Sequence, residues 1–136
     1  MAYDVPLIEM VHRYGGYVWC HCHGGMGPVL ERFADMGVDC LNPIEPPPMG
    51  DVTLAEAKAR VGSRMCLEGN IQQGDFYVLT ARQMREKVAE AIAAGAPGGA
   101  FILCPTSSPW QTADLSERAL QNYLTFIEAG LEIGQY

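Results

Sequence analysis

The feature that most constrains the fold of this chain is a unit made of a short apolar run and a following amphipathic stretch, which occurs four times. The apolar runs cover residues 17–22, 38–42, 65–70 and 100–104. They are too short for core helices and are not simple apolar–polar alternations, which is typical of parallel strands covered on both faces. Four consecutive strand–helix units predict an α/β fold with a parallel sheet and right-handed crossovers, as in a TIM-barrel-type (β/α) repeat.

The amphipathic stretches carry the start and stop signals of helices. Starts are marked by a first-turn proline or a capping pair: Pro28, Thr53 with Glu56, Thr80 with Gln83 and, more weakly, Asp114 with Glu117. Stops are marked by glycines, which are expected to adopt positive φ: Gly37, Gly62, Gly95 and Gly130. A further helix is predicted ahead of the first strand from the spacing of Leu7, Met10, Val11 and Tyr14.

The length of the chain corresponds to about half of a closed barrel. A complete (β/α)₈ barrel takes about 250 residues, and this chain has 136. Residues 1–136 are therefore predicted to form one domain of about four (β/α) units. A half-barrel leaves two open sheet edges and an exposed concave face, both unfavourable in water. We expect either a piece of a longer protein or a homodimer in which two copies close the barrel.

Composition narrows the classes of partner. The formal net charge is −7, and the absence of any Lys or Arg run argues against nucleic acid and anionic membranes as partners. No apolar stretch approaches the roughly 20 residues that span a bilayer. The five cysteines, an odd number scattered through apolar segments, are typical of reduced thiols in a cytoplasmic protein. A small-molecule ligand is the partner that remains.

Polar side chains collect at the ends of the predicted strands, where barrels of this type hold their active sites. His21 and His23 are one residue apart in the first run, so both imidazoles are expected to point to one face and reach one ligand or metal. Zinc needs at least three protein ligands; the third would come from Cys104, Glu45, Glu68 or from outside this chain. A second interpretation, in which the histidines are hydrogen-bonded and bind no metal, remains open.

Further side chains extend the predicted site. Glu45 and Glu68 are candidate general acids or bases, with a salt-bridge or loop-capping role as the alternative. Asn42, Asn70 and Ser107 are predicted to bind substrate.

Other residues near these motifs have simpler expected roles. Cys20 and Cys22 alternate with the histidines and are expected to face the opposite side, packed against helices. His12 is expected to be solvated on the first helix. Trp110 is predicted to cover the barrel mouth or to pack within its loop.

At these strand ends the sequence resembles the uroporphyrinogen decarboxylase superfamily. The matching segments are HCHGGMGPVLERFADMGVDCLNPIEPP, LEGNIQ and APGGAFILCPTSSP, which occur in the family's order. The resemblance runs from about residue 16 to the end. It implies the C-terminal half of a (β/α)₈ barrel.

The resemblance implies two chemistries. The decarboxylases remove acetate carboxyl groups from a tetrapyrrole without a cofactor, using N-terminal residues that have no counterpart here. They also carry a histidine after the last strand, about where residues 106–108 stand. Related corrinoid-linked methyltransferases hold zinc with an H-x-C pair and a later cysteine, which fall on His21, His23 and Ser107. This chain therefore departs from the zinc pattern at two of the three positions.

Taken together, the sequence predicts part of an enzyme of this superfamily, either a lyase acting on a tetrapyrrole (porphyrin) or related substrate, or a methyltransferase. Zinc is the candidate metal, and a corrinoid is the candidate partner. The alternative is a non-catalytic half-barrel that binds a tetrapyrrole or corrinoid, or serves as an assembly subunit.

Overall fold

The computed structural model describes residues 2–109 and 115–135, and in these ranges four strands alternate with six helices. The strands are β1 (Trp19–His21), β2 (Cys40–Asn42), β3 (Cys66–Ile71) and β4 (Phe101–Pro105). The helices are α1 (Asp4–Arg13), α2 (Leu30–Met36), α3 (Leu54–Val61), α4 (Asp75–Val78), α5 (Ala81–Gly95) and α6 (Glu117–Ile133). The predicted α/β class and its (β/α) repeat are confirmed. The short α4 has no counterpart among the predicted elements.

The four strands form one parallel sheet in the order β1-β2-β3-β4. Sequential order with a helix between neighbouring strands is the arrangement of a (β/α) barrel. The register sets His21 opposite Asn42, and Asn70 opposite Cys104. Because all four strands are parallel, their carboxyl ends lie at the same end of the sheet.

The hydrophobic core lies between the sheet and its helices. Alternate strand residues such as Leu41 and Leu67 are fully buried, and so are Val88 and Phe76 from the helices. The helices cover one face of the sheet, whereas residues of the other face, such as Trp19 and Ile102, are about half exposed. The expected cover of both faces is therefore not seen in the described residues. Within the described ranges, no helix has the length and apolar composition needed to cross a membrane.

Helix starts follow the predicted signals in two of four cases. The capping boxes at Thr53 and Thr80 are both formed. Helix α2 begins at Leu30, so Pro28 lies in the preceding turn instead of the first helical turn. Helix α6 begins at Glu117 with Ser116 as its N-cap. Asp114 lies outside the described residues, and so does Trp110, for which a position at the barrel mouth was predicted.

The prediction of positive φ at helix ends is right only for Gly37, whose φ is 89°. Gly62 has a φ of −64°, and Gly95 and Gly130 lie within α5 and α6. The last two let their helices approach β4 closely, because a Cβ there would lie 2.6 Å and 3.1 Å from strand side chains. These glycines are required by packing and not by backbone conformation.

His12 is not simply solvated, as the sequence had suggested. Its Nε2 lies 2.8 Å from Oδ2 of Asp39, which also accepts a hydrogen bond from the backbone N–H of Val18 at 2.6 Å. The pair connects α1 to the start of β2, so it contributes to fixing the first helix against the sheet.

Candidate functional site

Alternate residues at the end of β1 point to opposite faces of the sheet. Trp19, His21 and His23 line a cavity on the concave side of the sheet. Cys20 and Cys22 are partly buried and pack against the hydrophobic core. This separation is the two-residue periodicity of a strand, and it agrees with the predicted orientation of both pairs.

Both imidazoles are held by their Nδ1 atoms. The Nδ1–H of His21 donates to the amide oxygen of Asn42 at 2.7 Å, and Nδ1 of His23 lies 3.2 Å from Oε1 of Glu45. The two rings meet edge to face, with centroids 4.7 Å apart. An oxygen that can only accept fixes the proton on Nδ1, and this leaves Nε2 of a neutral imidazole as an acceptor. The pair therefore exposes two oriented ring nitrogens to a ligand.

Glu45 is the most constrained carboxylate of the site. It is only 8% exposed, and its Oε2 accepts the backbone N–H of Gly24 at 2.7 Å. The chain turns back tightly after it: the N–H of Gly50 donates to the carbonyl of Pro46, and a Cβ at residue 50 would collide with the carbonyl oxygen of Glu45. Glu45 thus joins the loop after β1 to the loop after β2 and supports His23.

Glu68 lies within β3 and lines the cavity that also contains Trp19, His21 and His23. The indole N–H of Trp19 donates to its Oε2 at 2.5 Å, and the thiol of Cys40 donates at 3.8 Å. Burial, with the nearby Glu68 as a further cause, raises the pKa of the Cys104 thiol to about 12. Burial also raises the pKa of Cys40 well above its ordinary value. At neutral pH both thiols are therefore protonated donors facing a carboxylate.

Two adjoining cavities open at the carboxyl ends of the strands. The first has a volume of about 560 Å³ and contains both histidines, Asn42 and Glu68. The second, of about 910 Å³, contains Glu45. His23, Thr106 and Ser107 line both. Six of the seven predicted site residues are thus brought together.

Asn70 is the exception among the predicted site residues. It lines a smaller cavity of about 240 Å³ with Asp75 and Lys87. The preceding Gly69 has a φ of 150°, and the simple alternation of side chains from Glu68 to Asn70 is not kept. Asn70 remains a predicted ligand contact, but it is separate from the histidines.

A polar network at the site was not foreseen. The hydroxyl of Thr106 donates to Gln72 at 2.9 Å and accepts from the backbone N–H of Gln73. The side chain of Gln73 pairs with the Tyr123 hydroxyl at 3.0 Å. These residues join the ends of β3 and β4 to α6. The only signal in the sequence was that Gln72, Gln73 and Thr106 follow predicted strands; Tyr123, within α6, had none.

The described residues do not make a zinc site on their own. In residues 2–109 and 115–135, no group of three or more His, Cys, Asp or Glu side chains is placed to hold a metal ion. His21 and His23 offer two nitrogen ligands, whereas the protonated Cys104 interacts with Glu68. Since zinc takes at least three protein ligands, a third would have to come from elsewhere.

The thiol of Cys104 predicts a specific response to alkaline pH. Its pKa in the folded state, about 12, exceeds the ordinary value of 9.0, so the folded state binds this proton more tightly than the unfolded state. The contribution of this proton to the free energy of unfolding is fully present below pH 9 and is lost as the pH rises toward 12. Urea unfolding at pH 8 and at pH 10 should therefore show a smaller fall in the free energy of unfolding between the two pH values for Cys104→Ala than for the wild type. Equal losses would contradict the prediction.

Comparison with known proteins identifies the family. The profile of the uroporphyrinogen decarboxylase (URO-D) family matches residues 2–113. This chain belongs to the uroporphyrinogen decarboxylase family. No curated protein matches the sequence significantly.

Solved structures show how widely this URO-D family fold is shared. A methyltransferase from Methanosarcina mazei superposes with a TM-score of 0.70 at 19% identity, covering 97% of this chain and 36% of that one. The native KDPGal structure superposes with a TM-score of 0.53 at 21% identity, covering 97% of this chain and 56% of that one. This URO-D family chain therefore spans roughly a third to just over half of these proteins. At such identities the likeness establishes a shared TIM-barrel-type fold.

Proposed function

We propose that this chain forms part of the active site of a URO-D superfamily enzyme and performs acid–base chemistry on a small molecule at the barrel mouth. The observation that supports this most directly is the pairing of His23 with the buried carboxylate of Glu45 beside an open cavity. A buried carboxylate orients an imidazole and stabilises its protonated form, which is the arrangement of a general acid–base pair.

Some of the neighbouring residues are placed to contact a substrate, and others hold the side chains that do so. Asn42 is 5% exposed and fixes the ring of His21, so it acts on a ligand through that imidazole. Ser107 and Asn70 offer side-chain hydrogen bonds to more distant parts of a substrate. Glu68 adds a carboxylate to the cavity that contains the histidines, and the indole N–H of Trp19 orients it.

Decarboxylation is the reaction that these groups suit without a bound metal. The bond between the carboxyl carbon and its neighbour breaks, carbon dioxide leaves, and the carbon that keeps the electron pair takes a proton. Protonated His23 would supply that proton and recover one from solvent. A tetrapyrrole or a related carboxylated ring is the substrate class that membership of the family suggests.

Methyl transfer is the second candidate, and the likeness to the Methanosarcina mazei methyltransferase favours it. In such chemistry zinc, if held by these residues, would bind the thiol of a substrate and favour its loss of a proton, and the resulting thiolate would take the methyl group from a corrinoid partner. Because His21 and His23 supply only two ligands, this candidate requires a third ligand from outside the described residues.

The five free cysteines agree with the cytoplasmic location proposed for either enzyme.

The test compares three histidine variants in a panel of two assays. Decarboxylation of uroporphyrinogen is followed by chromatography, and methyl transfer from methylcobalamin to a thiol is followed by absorbance. His23→Ala is expected to lower turnover about a hundredfold or more, and His21→Ala is expected to weaken binding. His12→Ala, which lies outside the two cavities at the strand ends, serves as the matched control, and its free energy of unfolding is measured alongside because His12 pairs with Asp39.

Turnover that is unchanged in both site variants would overturn the assignment. The non-catalytic alternative predicts spectral shifts of haem, coproporphyrin or cobalamin without turnover. If such spectral shifts appear while neither decarboxylation nor methyl transfer is detected, the half-barrel is a binding or assembly module and not an enzyme.

A further inference from the structure

The larger of the two cavities has an apolar wall that the proposed acid–base chemistry does not use. The wall is formed by Pro48 and Met49 from the loop after β2 and by Tyr77 and Val78 from α4. Met49 is 64%, Val78 is 63% and Tyr77 is 37% exposed. Large apolar side chains that are exposed together around one cavity are typical of a ligand-binding surface, whereas exposed residues scattered singly are not.

The acidic side chains of this cavity disfavour an anionic occupant. Glu45 and Asp75 line it, and among the described residues no Lys or Arg does. His23 lies 3.2 Å from Glu45, so any positive charge on its ring is already paired. The lining therefore favours an uncharged, apolar group over a carboxylate.

One hydrogen-bond donor on the polar side of the cavity has no partner. The Oε1 of Gln72 accepts from the Thr106 hydroxyl, whereas its buried Nε2 has no partner among the described residues. Neighbouring donors are satisfied: both amide atoms of Gln73 interact with the Tyr123 hydroxyl, and the Ser107 hydroxyl donates to a carbonyl. Since buried donors in proteins are nearly always paired, Gln72 indicates that a ligand acceptor binds at this wall.

We propose that the larger cavity binds the uncharged, apolar part of the substrate and that Gln72 donates a hydrogen bond from Nε2 to a neutral oxygen of that part. The terminal torsion of a glutamine is broad, so a turn of the amide can present its N–H to the cavity. His23 and Glu45 line the same cavity, which sets the reacting group of the substrate beside them and the remainder against Met49.

The size of the cavity suits such an occupant. Its volume of about 910 Å³ falls within the roughly 300–1,000 Å³ of small-molecule sites, which are mostly apolar with a few placed polar groups. The ligand class is therefore an apolar, ring-containing molecule with a neutral oxygen acceptor. The inference rests on the proposed function only in that the bound molecule is the substrate of His23 and Glu45; binding itself is measured without turnover.

Three naphthalenes test the assignment by isothermal titration calorimetry on the whole chain. Acetylnaphthalene carries a ring and a neutral carbonyl, isopropylnaphthalene has a similar shape without the oxygen, and naphthoate carries a carboxylate. The ketone is expected to bind about fivefold more tightly than the hydrocarbon, which is the contribution of one ordinary hydrogen bond. It is also expected to bind more tightly than naphthoate, because the carboxylate lies near Glu45 and Asp75.

Substitution of Gln72 tests the hydrogen bond. Gln72→Glu removes the donor but keeps an oxygen that accepts from Thr106. The affinity for the ketone should fall to about that for the hydrocarbon, because the hydrogen bond that distinguishes them is lost. Gln121→Glu, at an exposed position on α6 that lines neither cavity, adds the same charge and should keep the fivefold preference.

Substitution of Met49 tests the apolar wall. Met49→Ala should weaken the binding of ketone and hydrocarbon alike, by about threefold or more, since apolar contact is lost. Met10→Ala, which truncates an exposed methionine on α1 away from both cavities, should leave both affinities unchanged.

Several outcomes overturn the inference. Equal affinities of the wild type for ketone and hydrocarbon exclude the role of Gln72, and so does a preference that Gln72→Glu leaves unchanged. Tighter binding of naphthoate than of the ketone, affinities that Met49→Ala leaves unchanged, or no measurable binding excludes the apolar site.

The proposed function fails separately from this inference. Unchanged turnover in His23→Ala, with ketone binding that still depends on Gln72, removes the acid–base role and leaves the binding site in place. Loss of turnover in His23→Ala without ketone binding by the wild type removes the apolar site alone.

Discussion

Replacing Glu45 with alanine is expected to remove both the acid–base function and part of the stability of the site. The carboxylate pairs with His23 and accepts the Gly24 N–H at 2.7 Å, so its loss frees the imidazole and leaves a donor without a partner. Loss of general acid–base catalysis lowers turnover by about 10²–10⁴. A fully buried, unsatisfied donor costs about 1–3 kcal/mol in the free energy of unfolding; Gly24 is partly buried, so a loss of about 1 kcal/mol is expected. Steady-state kinetics and urea unfolding measure the two effects.

Glu45→Gln separates these effects. Its amide oxygen still accepts from Gly24, so the free energy of unfolding should stay close to that of the wild type. It carries no charge to stabilise protonated His23, so turnover should still fall. Glu86→Gln, at an exposed ion pair on α5, is the control for loss of a carboxylate. Wild-type turnover in Glu45→Gln would show that the pair is structural.

The repeat of the fold could be predicted because its signals are local. A short apolar run, a capping box at Thr53 or Thr80 and a two-residue alternation of side chains depend only on nearby residues. The glycines at 95 and 130 were misinterpreted because their role is to let a helix approach β4. That requirement arises from packing between elements distant in the sequence, which local signals do not contain.

Six of the seven predicted site residues line the two adjoining cavities, but the pairings between them were not predicted. His21 and His23 were expected on one face, whereas their partners Asn42 and Glu45 lie 21 and 22 residues further along the chain. The register between β1 and β2 brings them together, and register is a property of the assembled sheet. The position of Asn70 in a separate cavity likewise depends on how the backbone passes through β3.

The short helix α4 shows most clearly what the sequence alone did not reveal, and it gives the second large prediction. Phe76 is fully buried, and its ring stacks on Tyr123 with centroids 4.1 Å apart and meets Phe126 edge-on at 5.6 Å. Phe76→Ala should lower the free energy of unfolding by about 3–5 kcal/mol, because a cavity remains where the ring was. For a domain stable by about 5–15 kcal/mol, this is a large part of the total.

Chemical denaturation measures this loss, and Val78→Ala on the same helix is the matched control. Val78 is 63% exposed, so its truncation should change the unfolding free energy by no more than about 0.5 kcal/mol. A loss below about 1 kcal/mol in Phe76→Ala would contradict the packing described here, and Phe76→Leu provides a milder variant if the alanine variant does not fold. Tyr123 also pairs with Gln73 at the cavity wall. Weaker ligand binding in a folded Phe76 variant would therefore indicate that the packing of α4 against α6 supports the mouth of the barrel.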